Sequence, residues 1–100
     1  MKKGLILTVV VVAGILYLSS RSEETTATLP ESAGKDLQSA QDAARAAGFT
    51  TIASHDALGD RRMQFVGRNW KVCGQTPAPG RHATTTRVDF AVVKVDERCP

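Results

Sequence analysis

Apolar residues run unbroken near the start of the chain, thin out, and return as short alternating stretches towards its end. Gly4 to Leu18 holds fifteen residues without a charge. As a helix rising 1.5 Å per residue it would span roughly 22 Å, against a bilayer hydrocarbon core of about 30 Å. Next, Glu23 to Ala33 is polar and Thr-rich with a proline, the composition of a tether. Helical spacing appears from Asp36 to Ala47, where Leu37, Ala40, Ala44 and Ala47 form one narrow apolar stripe. Asp36 is placed to cap this helix and Gly48 to end it in a left-handed turn.

Strand-like patterns follow. Phe49 to Ala53 reads as a strand, and Ser54 to Arg62 as a turn or loop. Met63–Val66 and Trp70–Gln75 read as a hairpin closed by Gly67-Arg68-Asn69. Pro77 and Pro79 lack amide donors and fix φ, so Gln75–Gly80 must end one strand and stiffen the route to the next. The last strand, Arg87 to Val95, turns Val88, Phe90 and Val92 inward; the doublet Val92-Val93 implies a bulge or burial on both sides. The pattern predicts an α+β fold with one helix on a small antiparallel sheet of three to four strands, preceded by an N-terminal apolar helix. It divides the chain into residues 1–20, a linker 21–33 and a single domain 34–100.

Charge gives the first segment a direction. Lys2 and Lys3 precede the apolar run, whereas Glu23 and Glu24 soon offset Arg21. The positive end stays in the cytoplasm and the rest faces outward, as a single-pass membrane protein or, if the segment is cleaved as a signal peptide, a secreted one. Ser20-Arg21-Ser22 is the best cleavage site on offer, and both outcomes stay open. The formal charge of +3 and five aromatic residues form no nucleic-acid footprint.

Cys73 and Cys99 are the only two cysteines. In an oxidising compartment they are read most simply as a disulfide. A metal site would need more ligands than His55 and His82 supply at their spacing, and a reactive thiol would need an activating partner. No cofactor and no metal is expected. A domain of this size buries a modest core, and a cross-link would compensate.

Four segments resemble, in order, the PASTA domain of bacterial penicillin-binding proteins and Ser/Thr kinases. Gly34-Lys35-Asp36-Leu37-Gln38-Ser39-Ala40-Gln41 is similar to its "G-K-x-L-x-x-A-Q" opening, and Ala46-Ala47-Gly48-Phe49 to its helix exit. Val72 to Gly80 is similar to its "V-x-x-Q-x-P-A-P-G" corner, and Thr86 to Phe90 to its closing strand. Ser54–Ala57 and Arg68–Cys73 bring it nearer to small single-domain actinobacterial members. Leu29-Pro30-Glu31-Ser32-Ala33-Gly34 departs from the family's "V-P-x-V-V-G", and Ala44 stands where leucine is usual.

The resemblance implies an extracytoplasmic, non-catalytic module that binds or senses peptidoglycan or muropeptide material. No Ser-x-x-Lys arrangement or Gly-rich phosphate loop argues for an enzyme. Arg61, Arg62, Arg68, Lys71 and Arg81 are candidate contacts for peptide-stem carboxylates, and Trp70 for a sugar or peptide face. The alternative is an interaction or spacer module docking on a membrane or cell-wall protein, with Met63–Val66 as an edge strand open to strand addition.

Overall fold

The helix sets the frame of the computed structural model, which describes residues 25–100. Helix α1 (Leu37–Ala47) starts where Asp36, in extended conformation, accepts from the Ser39 backbone N–H at 3.0 Å and from the Ser39 hydroxyl at 2.6 Å. It stops at Gly48, whose φ of 116° few side chains tolerate and whose N–H returns to the carbonyls of Ala44 and Arg45. Leu37, Ala40 and Ala44 are buried. Because two of the three are alanines, the helix presents little apolar area to the sheets.

Five strands complete the described residues: β1 (Thr26–Leu29), β2 (Ile52–Asp56), β3 (Trp70–Thr76), β4 (Gly80–Ala83) and β5 (Val88–Lys94). They form two small sheets, a two-stranded ribbon β1-β4 and a three-stranded sheet in the order β2-β5-β3. Leu29, Leu37, Phe49, Trp70, Val72, Val88, Phe90 and Val92 are among the core residues between these elements.

The α+β class and the one α-helix among the described residues agree with the sequence pattern; the all-antiparallel expectation does not. β5 pairs antiparallel with β3 but parallel with β2. Between β2 and β5 the chain makes β3 and β4, then inserts β5 in the middle of the sheet, so β2 and β3 never meet as a hairpin.

Three element expectations also change. The predicted strand Phe49–Ala53 begins later and runs through Asp56 into residues read as loop. Phe49 is committed to the helix end, its N–H donating to Ala44 O at 3.1 Å and its ring buried in the core. Met63–Val66 forms no strand; a 3-10 turn, Gly67–Asn69, leads directly into β3. Finally, the tether reading of residues 21–33 fails from Thr26 onward. Thr26–Leu29 pairs with Gly80–Ala83, and Ser32 is buried.

The Pro-rich corner ends β3 at Thr76, as expected, but leads first into β4 from Gly80, a strand the pattern did not predict. Gln75 ties it to the segment before the helix: its side-chain carbonyl accepts from Ser32 N–H at 2.8 Å, and its amide donates to Pro30 O at 3.2 Å. Val92 and Val93 are both buried, which is the two-sided burial the doublet implied. The bulge lies on the opposing strand. Val72 pairs with Val92 and Gly74 with Ala91, leaving Cys73 as the extra residue. Cys73 is joined to Cys99, with Cα atoms 5.6 Å apart, confirming the predicted disulfide.

Of the described residues, no helix is long and apolar enough to cross a membrane. The apolar run Gly4–Leu18, and with it the question of anchor or signal peptide, lies outside the described residues.

Candidate functional site

The six residues singled out from the sequence do not converge on one site. Two of them, Arg62 and Trp70, do come together, as part of the framework. Asp56 closes β2 with its carboxylate 1% exposed. Arg62 grips it along one edge, Nε donating to Oδ2 at 2.7 Å and Nη2 to Oδ1 at 3.1 Å. The other edge of the guanidinium meets Glu97, Nη1 to Oε2 at 3.1 Å and Nη2 to Oε1 at 3.0 Å. Its carbon lies 5.0 Å from the centroid of the Trp70 ring, and Trp70 is only 4% exposed.

Four of the five N–H donors of Arg62 are engaged, and both edges able to grip a carboxylate in bidentate fashion are taken by Asp56 and Glu97. The Arg62 guanidinium holds the Asp56 carboxyl far below the usual carboxylate range against the opposing effect of burial. It lowers Glu97 in the same way, helped by the Lys94 N–H, which donates to Glu97 Oε1 at 2.8 Å. Arg62 is itself held more firmly charged, chiefly by Asp56 and then by Glu97. Nothing in the spacing Asp56…Arg62…Glu97 marks this clamp in the sequence. The available signal is a doublet of arginines beside an acidic turn.

The other four candidates are scattered. Lys71 is half-buried on β3, beside the short bridge in which Val72 N–H donates to Lys35 O and Gly34 N–H to Val72 O, each at 2.8 Å. Arg81 spans the β1-β4 ribbon, its Nη2 donating to Thr26 Oγ1 at 2.6 Å. Arg61 is exposed and holds a positive φ of 55°, a left-handed conformation that costs a residue with a β-carbon roughly 1 kcal/mol. Arg68 lines a cavity.

That cavity is an open cleft of about 340 Å³ bordered by Gln38, Phe65, Val66, Gly67 and Arg68. Gly67 makes it possible. A β-carbon there would stand 3.1 Å from the backbone nitrogen of Gln38, so glycine lets the 3-10 turn lie against the first turn of α1. The cleft offers an aromatic ring, an amide and a guanidinium, a set able to hold a small ligand bearing a carboxylate. Gln38 and Phe65 were not anticipated from the sequence. Gln38 looks there like any solvent-facing helical residue, and Phe65 like one member of the predicted strand Met63–Val66.

Two histidines have local partners. His55 Nδ1 lies 2.6 Å from Asp89 Oδ2 across the β2–β5 pair, and His82 Nε2 lies 2.6 Å from Ala78 O at the corner. In comparisons with known proteins, no family model, no curated protein and no solved structure matches this chain.

Proposed function

We propose that this chain is a non-catalytic, extracytoplasmic module of the PASTA type that binds fragments of cell-wall material. The observation that carries the reading is the Gln38–Phe65–Arg68 cleft. There an exposed guanidinium stands beside an amide and an aromatic face, the groups a peptide-bearing sugar requires. The Cys73–Cys99 disulfide is in keeping with an oxidising compartment. Helix capping at Asp36 and Gly48 and the Gln75–Gly80 corner support the PASTA resemblance, and the parallel β2–β5 pair is a departure from it.

Of the six contacts expected from sequence, Arg68 is retained as the ligand-facing one, with Gln38 and Phe65 added. Titration of the isotopically labelled protein with muropeptides is expected to shift the amides of Gln38, Gly67 and Arg68 and to leave β4 unmoved. Shifts absent from all three positions would overturn the reading.

The second reading, an interaction or spacer module acting by strand addition, now has a different edge. Met63–Val66 is not a strand, but among the described residues β2 pairs only with β5, on one side. Partner capture from membranes that a proline at Ala53 abolishes, with muropeptide binding absent, would favour this second reading.

A further inference from the structure

The loop between β2 and the 3-10 turn has its polarity reversed. Gln64 turns inward, its side-chain carbonyl accepting from the Ser54 hydroxyl at 2.9 Å and its amide donating to Arg62 O. Arg62 turns inward as well, into its clamp. Alternation then drives the intervening apolar side chains outward. Met63 is 66% exposed and Phe65 85%, with Val66 and Leu58 also at the surface. Collapse onto the core would hide these groups, but the ties at Arg62 and Gln64 hold the backbone the other way. Exposed arginines, Arg61 and Arg68, flank the apolar stretch in sequence.

We propose that Arg61–Arg68 is a membrane-docking loop: Met63 and Phe65 enter the interfacial layer of an anionic bilayer while Arg61 and Arg68 meet its phosphates. An apolar tip with basic flanks is the chemistry of interfacial attachment to anionic lipid. The length of the preceding chain supplies the second argument. Only the seven residues Ser19–Thr25 separate the apolar run Gly4–Leu18 from β1. Fully extended they reach at most about 25 Å, so an inserted run keeps the domain next to the bilayer. This proposal rests on the reading of Gly4–Leu18 as membrane-inserted. A second copy of the chain is the poorer occupant, because a two-fold contact through this face would bring two patches of the same positive sign together.

The test uses the full chain with Phe65→Trp, reconstituted into vesicles of phosphatidylglycerol and phosphatidylcholine carrying bromine on shallow acyl carbons. Flotation reports insertion of the apolar run, and fluorescence reports the loop. The expected result is a blue-shifted, bromine-quenched emission from position 65 that the native chain, whose Trp70 is buried, lacks. Neutralising both flanks in the same background (Arg61→Gln with Arg68→Gln) is expected to lower the docked-to-free ratio about thirtyfold. Flotation with an unquenched, unshifted Trp at 65 overturns loop docking and leaves membrane insertion standing. A blue shift without quenching overturns it too, and shows that a protein surface covers Phe65. Failure to float removes the insertion reading and this proposal together. Because Phe65 and Arg68 also line the cleft assigned to muropeptide, docking and muropeptide binding compete for them, and the muropeptide shifts are measured without vesicles.

Discussion

Where α1 meets the sheets, apolar side chains point inward and charged ones outward; along Arg61–Val66 the order is reversed. Phe90, Val88 and Val92 are fully buried between helix and sheet, and the charged and polar residues of α1 face solvent. In the loop it is Arg62 and Gln64 that turn inward, while Met63 and Phe65 face out. The two regions are therefore held by different forces. The core depends on apolar area removed from water, which responds weakly to salt and pH. The loop depends on one guanidinium between two carboxylates, which responds to both.

Substitutions can break this contrast. Truncating the core, Phe90→Ala, is expected to cost about 3–5 kcal/mol, and a domain this small has little more than that to lose. Urea denaturation followed by Trp70 fluorescence should show little native protein remaining. Removing the cross-link with Cys73→Ala and Cys99→Ala releases a loop of 26 residues and is expected to cost about 3.5 kcal/mol. The denaturation midpoint should fall by a comparable margin, with the native state still populated when osmolyte is added.

Smaller effects separate the regions more cleanly. Arg62→Met keeps the stem packed near Trp70 but removes the fork, and it leaves Asp56 buried without its partner. Amide hydrogen exchange should accelerate at Leu58 and position 62, whose N–H groups both donate to Asp56, while β5 stays protected. Equal acceleration in β5 would show that the loop and the core open as one unit.

The mildest probe is pH. Asp36, Asp56 and Glu97 titrate below their ordinary values in the folded chain, so their contribution is present above about pH 5 and fades as acid protonates them. Stability is therefore expected to fall with decreasing pH below that point. The loop should loosen before the core, and the effect should shrink in high salt.

The same contrast explains how far the sequence could be read. Asp36, Gly48, the Leu37–Ala40–Ala44 stripe and the alternation in β5 are local signals, and each corresponds to an observed cap, face or strand. The disulfide was expected from the cysteine count on the reading of an oxidising compartment. Met63-Gln64-Phe65-Val66 has the alternation of a strand, but alternation says only that two faces differ, not which one is buried. There the buried face is the polar one. β1 and β4 carry little apolar signal, TATL and GRHA, because a two-stranded ribbon buries one side chain deeply, Leu29. The parallel pairing of β2 with β5 was equally illegible, since periodicity carries no strand direction. Of the candidate site, arginine content pointed to Arg68. Its neighbours Gln38 and Phe65 depend on a close approach of two segments almost thirty residues apart.

The placement of β5 bears on how the domain is made. It is the last strand of the described residues and the central one of its sheet. Until Val88–Lys94 has emerged, β2 and β3 have no sheet partner, and Cys73 must wait for Cys99. The three-stranded sheet therefore closes only around β5, which acts as its keystone.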